Sequence, residues 1–292
     1  MPIELAKNYV GLLDEVYQNA SLTSDLNSGA ETIRQGANAG EFLVAKLKMD
    51  GLKNYTRNSG YTSGAVDLSW ETIKYNYDRG IKFTVDAMDN EETVGLSFGR
   101  LGAEFERTKV APEADAFCFA TLAGTSGITS KTLAKATALK TGKMVLDAIV
   151  EAQNTMDEAQ VPTESRILYI TPTLLRLAKS VENYVNVGVL DEFVKVVPVP
   201  QSRFYTKVDL VNDTANGDMK GGFKKNSGGA DIHFMIVEKS AVIKHDKHVA
   251  SDIITPAENQ ASDGYMQKYR KYGVVDVYEN KVSGIYCAYE GA

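Results

Sequence analysis

The sequence predicts an α+β fold, and three observations carry that expectation. Residues 41–49 and 66–71 alternate with period two. Residues 89–105 repeat apolar positions at spacings of four, three and four, and residues 142–237 switch between helical and strand patterns before a run of closing strands.

In chain order, Leu5, Tyr9, Leu12 and Val16 lie on one stripe of a short amphipathic helix within Pro2–Gln18. Residues 20–40, ASLTSDLNSGAETIRQGANAG, are rich in Ser, Asn, Ala and Gly and offer almost nothing apolar to bury. The opening therefore reads as an arm, ordered only where it lies on something else. From Glu41, Leu43, Ala45, Leu47 and Met49 alternate with Phe42, Val44, Lys46 and Lys48 up to the break at Asp50-Gly51. Val66, Leu68 and Trp70 alternate with Asp67, Ser69 and Glu71 after the Gly-punctuated segment GLKNYTRNSGYTSG, which is too long for a tight turn. The two runs form a long hairpin. A two-stranded hairpin is marginal in water, so something else must cover it, most economically a neighbouring copy of the chain.

The clearest helix begins at Asp89, with Asp89 as N-cap and Glu92 three residues on, carboxylates at the positive helix end. Val94, Phe98, Leu101 and Phe105 recur on one face, and Arg100, Glu104 and Arg107 stand on the other. Gly95, Gly99 and Gly102 cost roughly 1 kcal/mol each against Ala and argue for close backbone approach. Pro112 ends or kinks this helix, and Pro112-Glu113-Ala114-Asp115 reads as the first turn of a second piece reaching Leu122, giving a long bent rod.

Beyond the loop GTSGITS, an α/β stretch follows: a helix over Gly142–Glu158, a strand over Arg166–Ile170, and a helix capped at Thr171-Pro172 and running to about Ser180. The next strand is Phe193–Val199, with Pro198 and Pro200 marking an edge or its end. Residues 212–231, with five glycines, read as an exposed loop. Ile232–Val237, Val249–Ile254, Tyr265–Tyr272 and Ser283–Tyr289 read as strands, and there is no internal repeat.

The 292 residues allow one large domain or two modest ones at about 150 residues each. A chain with 43% hydrophobic and 24% charged residues can bury a sizeable core. No apolar run approaches the roughly 20 residues of a membrane span, and MPIELAKNYV lacks a signal-peptide apolar region, so a soluble cytosolic protein without membrane contact is expected. Cys118 and Cys287 fit no metal spacing and read as two half-buried thiols of a reduced compartment, or as one disulfide. A net charge of −6 gives no basis for tight binding to phosphate backbones.

A phosphate-cradling loop needs G-x-x-x-x-G-K-[ST]. Gly142-Lys143 is followed by Met144 and has Thr137 where the first glycine belongs, while Gly124-Thr125-Ser126-Gly127 lacks a Gly directly before Lys131. Both read as loop-to-helix junctions, and no cofactor is expected. His245-Asp246-Lys247-His248 is the only histidine cluster; with no third ligand near in sequence it reads as a solvated turn, and His233 as a structural donor. Asp86, Asp89, Glu91 and Glu92 are accounted for by helix capping, and no G-x-S-x-G accompanies the three histidines, so neither metal nor catalytic residues are assigned. Asn19, Asn54 and Asn212 fit N-x-[ST] without a secretory signal to give them meaning.

The positive signal is aromatic. Tyr55, Tyr61, Trp70, Tyr75 and Tyr77, with Arg79, concentrate in and beside the hairpin, where a lone subunit would leave them exposed. Aromatics and Arg are what subunit interfaces use, and self-association accounts for them better than packing on their own body does.

The order of parts and several local strings resemble the major capsid protein family of tailed double-stranded-DNA bacteriophages. The strings are Met49-Asp50-Gly51-Leu52, Asp78-Arg79-Gly80, Val85-Asp86-Ala87-Met88-Asp89, Ala111-Pro112-Glu113-Ala114-Asp115, Val199-Pro200-Gln201-Ser202-Arg203-Phe204 and Tyr269-Arg270-Lys271-Tyr272-Gly273. The resemblance implies an N-terminal arm (1–36), an extended loop (37–82), a peripheral domain with a spine helix over about 90–122 (83–135), an axial domain (136–240) and closing strands that return to the peripheral domain (241–292). It implies a structural, non-enzymatic role in the virion: hexamers and pentamers assemble in the host cytoplasm into a procapsid, which expands into an icosahedral shell as DNA is packaged. The partners implied are further copies of the chain, a separate scaffolding protein, a portal protein and loosely held double-stranded DNA. Some members cross-link Lys to Asn; no such pair is assigned here. A bacterial nanocompartment (encapsulin-like) shell protein is similar in fold and is the alternative. A small α/β enzyme built around Thr171 is the alternative from another class, without a cofactor motif or base–nucleophile set behind it.

Overall fold

The computed structural model of the chain describes residues 21–27, 33–35, 40–58, 60–92, 104–133, 135, 139, 141–181, 184–212, 221–260 and 262–291. The expected first helix and the stripe residues Val94, Phe98 and Leu101 lie outside the described residues.

The alternation after Glu41 folds as expected. β1 (Ile33–Gln35), β2 (Glu41–Met49) and β3 (Val66–Lys74) form an antiparallel sheet, with Glu41 opposite Lys74 and Met49 opposite Val66. The chain then enters β4 (Tyr77–Asp86) and α1 (Ala87–Glu92). The cap of α1 is Asp86, whose Oδ1 accepts the Met88 amide at 2.9 Å, so the helix starts ahead of Asp89, the expected cap. Both residues are acidic at a helix start; the strand end at Asp86 decides which of them caps.

Pro112 lies in the first turn of the second helical piece, as expected, but the helix ahead of it does not end there. The chain is helical from Glu104 to Gly124, through a π-helical turn at Glu106–Val110 into α2 (Ala111–Gly124). The wider turn relieves the clash between a proline ring and the preceding carbonyls. Phe105 packs edge-on against Phe83 (4.9 Å) and Tyr269 (5.7 Å), seating this helix on the sheet beneath it.

β5 (Thr129–Leu133) occupies Ser130-Lys131-Thr132, expected to be a loop-to-helix junction. Its apolar content is low because it is an edge strand, and parallel pairing with the last strand holds it. α3 (Gly142–Glu158), β6 (Arg166–Ile170) and α4 (Pro172–Lys179) fall where the sequence puts them. Thr141 caps α3, accepting the Met144 amide. Thr171 precedes α4 as expected, but its hydroxyl makes no capping bond. α5 (Tyr184–Asp191) leads to β7 (Lys195–Pro198), shorter than the expected 193–199 and ended at the sheet edge by its proline. The Gly-rich loop is interrupted, because β8 (Val208–Leu210) pairs with β9 (Phe223–Lys225).

β10 (Ile232–Glu238), β11 (Val242–Ile254), β12 (Gly264–Val277) and β13 (Ile285–Glu290) complete the chain. β11 begins seven residues before the expected Val249 and contains His245-Asp246-Lys247-His248, which is therefore strand and not a turn. Its polar sequence hides it, and the ladder comes from β12, with a bulge between Asp246 and His248. Gly273 allows the approach there, since a Cβ would sit 2.9 Å from the His245 carbonyl oxygen.

The central sheet runs β5-β13-β10-β6-β7 and is buried on both faces. Alternate residues serve opposite faces. Ile167, Tyr169, Met235, Val237, Ile285 and Cys287 meet Cys118, Phe119 and Leu122 of α2. Leu168, Ile170, Phe234, Ile236, Tyr286 and Ala288 meet Val145, Leu146 and Ile149 of α3 and Leu174 of α4. A second sheet, β11-β12-β4, carries the base of the hairpin, where Phe42, Val44 and Ile73 pack on Ile243 and Val274.

The segment after Ala20 is ordered by its own chain. Leu26 is fully buried among the α2-side residues, and Thr23 is fully buried beside it. The composition of residues 20–40 does not reveal this, because one leucine suffices to anchor the segment when the body supplies the slot.

Candidate functional site

One face of the hairpin is apolar at its base, where the body covers it, and turns polar at Glu71, Ser69 and Asp67; the other face is apolar farther out. Phe42, Val44 and Ile73 are buried at its base. On the other face Val66, Leu68 and Trp70 are spaced by two along β3 and keep 72%, 57% and 40% of their surface exposed, with Met49, opposite Val66, at 68%. Consecutive exposed apolar residues on one sheet face are uncommon in a self-sufficient chain and mark an interaction surface.

The tip is built by polar bonds. The Asp50 carboxylate accepts the Ala65 amide at 3.0 Å and Lys53 Nζ at 2.9 Å, and Lys53 also reaches the Ser63 carbonyl at 3.0 Å. The Ala65 amide first, and then Lys53, hold the Asp50 carboxyl below its ordinary value. Tyr55 and Tyr61 stand 5.1 Å apart across the tip, beside the fully exposed Leu52, and with Gly51, Lys53 and Gly64 they line a shallow cavity of about 160 Å³.

Three of the six expected interface residues, Tyr55, Tyr61 and Trp70, are thus exposed on the hairpin. Tyr75 is intermediate: its ring lies 5.4 Å from Phe42 and 4.7 Å from Tyr272, with Lys247 Nζ 5.0 Å from its centroid. Burial, and secondly Tyr272, push its hydroxyl pKa up.

Tyr77 and Arg79 are used within the chain, against the expectation that a lone subunit leaves them exposed. Tyr77 is buried; its hydroxyl donates to Glu113 Oε1 at 3.2 Å and its ring lies 5.1 Å from Phe117. Burial first, then the Glu113 charge, raise its pKa well beyond the ordinary tyrosine range. Arg79 Nε donates to Glu113 Oε1 at 2.7 Å, and Nη2 to the carbonyls of Val211 (2.9 Å) and Gly222 (3.3 Å); Asn212 accepts from Nη1. The reason is topological: β4 pairs with β12 along its length and faces α2, so residues beyond Asn76 sit on the body.

Sequence reading missed the two carboxylates of α2. Glu113 gathers Tyr77 and Arg79, and Asp115, fully buried, pairs with Arg203 at 3.1 Å. Their signal is visible afterwards: APEADAFCFATLAG is apolar on all sides except for these two residues, and a charge inside such a helix needs a partner.

Among the described residues no group of three His, Cys, Asp or Glu side chains is placed to hold a metal ion, and no helix is long and apolar enough to cross a membrane. Both cysteines are free thiols and fully buried, deeper than the sequence suggested. Burial pushes Cys118 up to about 11 and Cys287 up to about 12. Neither thiol should react with a disulfide reagent in the native protein at pH 8, and both should react on unfolding; rapid native labelling of either would contradict the packing described.

Neither a protein-family model nor a curated protein sequence matches the chain. Solved structures do. The mature capsid of bacteriophage PhiM1 matches with a TM-score of 0.63 at 12% identity, over 97% of this chain and 91% of that one. The capsid structure of cyanophage P-SCSP1u matches at 0.61 and 15%, over 98% and 92%. The virus-like particle from Pyrococcus furiosus matches at 0.52 and 11%, over 91% and 97%. At such identities the likeness is one of fold.

Proposed function

We propose that this chain, whose fold is that of tailed-phage capsid subunits, is a major capsid protein that assembles through its hairpin into hexamers and pentamers of an icosahedral shell around double-stranded DNA. The observation that carries the reading is the apolar face of Met49, Val66 and Leu68, each more than half exposed in the single chain. The fold supplies the context in which another copy covers it, and association is then linked to the stability of each subunit.

The division proposed is arm 1–36, extended loop 37–82, peripheral domain with spine helix 83–135, axial domain 136–240 and closing strands 241–292. The β11-β12-β4 sheet is a hydrogen-bonded unit separate from the central sheet. The central sheet, however, takes β5 from 83–135 and β13 from 241–292 beside β6, β7 and β10 of 136–240, so its hydrogen bonding crosses these bounds. The interface set proposed is Tyr55, Tyr61 and Trp70 together with Val66 and Leu68. A scaffolding protein, a portal, procapsid expansion and a virion destination belong to the same proposal. The role is structural and not enzymatic. The net charge of −6 suits loose contact with packaged DNA, because tight binding to phosphates needs clustered cations.

The likeness to the Pyrococcus furiosus particle keeps a nanocompartment-type shell as the second reading. Electron microscopy of the protein, expressed alone and with the candidate scaffold from its own gene neighbourhood, tests both. Shells or capsomer rings are expected. Closed particles from the chain alone, enclosing an enzyme, favour the compartment, and a monodisperse small species under every condition rejects both.

A further inference from the structure

Residues 21–26 lie in a slot between three elements that are far apart in sequence. The Asp115 carboxylate of α2 accepts Ser21 Oγ (2.8 Å), the Leu22 amide (2.9 Å), the Thr23 amide (3.3 Å) and Thr23 Oγ1 (2.8 Å). Arg203, in the turn before β8, donates to the same carboxylate at 3.1 Å. Lys244 of β11 donates to both the Thr23 carbonyl and Thr23 Oγ1 at 2.8 Å. Asp115, Arg203 and Lys244 are all buried, as is Thr23. Leu26 fills the apolar end of the slot against the α2 side of the central sheet, and Asp25 pairs with Lys195 at its rim.

The way this segment is held differs from every neighbouring element. Among the described residues its backbone–backbone bonds are local, Leu26 to Thr23 and Asn27 to Ser24, and none reaches the backbone of the body. The bonds to the body run through side chains. A strand in a ladder cannot leave without breaking a row of backbone bonds, whereas this segment is fixed by the Asp115 carboxylate, the Lys244 and Lys195 ammonium groups, and Leu26 with Leu22 packed against the same cluster.

We infer that residues 21–26 are a side-chain-latched strap, which ties α2, the Arg203 turn and β11 together and opens as a unit while the central sheet stays folded. While it is latched, Ser21 is held at a fixed point beside Asp115. The strap is made first during synthesis and its partners at 115, 203 and 244 later, so it closes only once β11 is in place. The inference stands whether or not the chain builds a shell.

Hydrogen exchange followed by mass spectrometry on the full-length soluble subunit tests it. In the unsubstituted protein the Leu22 and Thr23 amides should be protected, since both donate to a buried carboxylate. Asp115→Asn weakens charge-assisted bonds and should raise exchange across 21–27 by roughly 10- to 100-fold, leaving β6 and β10 unchanged. Thr23→Val removes the hydroxyl shared by Asp115 and Lys244 while keeping every charge, and should shift exchange in the same direction if Asp115→Asn does not give soluble protein. Free exchange of 21–27 in the unsubstituted protein overturns the strap. So does equal loss of protection in β6 and β10, or no change in either variant.

Discussion

Deleting residues 52–64 is expected to yield a soluble, folded subunit that forms no closed particles. The tip contributes nothing to the buried clusters: its cavity is shallow, Leu52 is fully exposed, and its bonds run within the tip itself. Its loss should therefore leave thermal stability nearly unchanged while removing Tyr55 and Tyr61 from any contact with another copy. A sharper form replaces Leu68 with Glu. Each apolar side chain of this size covered by a neighbour is worth about 1.5–3 kcal/mol, and an uncompensated charge in that contact costs more. The penalty recurs at every subunit of a closed shell, so assembly should fail while the free subunit, in which Leu68 already faces water, is unaffected. Electron microscopy and sedimentation read the outcome. Normal particles from both variants would show that another surface carries assembly.

Gly142→Ala is expected to destabilise the subunit by about 3 kcal/mol or more, at the upper end of what overpacking costs. A Cβ at position 142 would lie 2.0 Å from the Leu177 carbonyl oxygen and 2.4 Å from a Val181 methyl. The first of these is backbone at the end of α4, so no rotamer change relieves it; α3 and α4 would have to part. That contact belongs to the face of the central sheet lined by Leu146, Ile149 and Leu174, whose packing holds the two helices down. Gly188→Ala is the control. Nothing lies within 4 Å of a Cβ there, and Ala in a helix gains up to about 1 kcal/mol over Gly. Denaturant or thermal unfolding of both variants separates clash from propensity. Equal stability of the two would mean that α3 and α4 are not packed as described.

The close approach at Gly142 also gives the glycine of the Gly142-Lys143 pair a structural role. Sequence reading set it aside as a phosphate loop because the flanking positions were wrong; the structure gives it a positive account, as the point of closest helix approach. Glu113 and Asp115 follow the same pattern. As a string, Pro112-Glu113-Ala114-Asp115 reads as an ordinary helix start, yet both carboxylates are buried and organise Tyr77, Arg79, Arg203 and the Ser21–Leu26 strap. The six aromatic and Arg residues picked out as one interface set divide for a comparable reason. Tyr55, Tyr61 and Trp70 are on the free part of the hairpin, whereas Tyr77 and Arg79 lie past the point where the chain joins the β11-β12-β4 sheet.

The sequence by itself determined the elements whose signal is local. The period-two runs gave β2 and β3, and the strand pattern of Arg166–Ile170 gave β6. Only the tertiary structure decided which acidic residue caps α1, that the polar run at 245–248 is strand, that edge strand β5 exists, and where residues 21–26 lie. Each of these is fixed by a partner far away in the chain: β12 supplies the ladder for β11, β13 supplies it for β5, and Asp115 holds the strap. Periodicity and capping report what a segment does with its own neighbours, so a segment whose hydrogen bonds are completed elsewhere carries no local mark of its conformation.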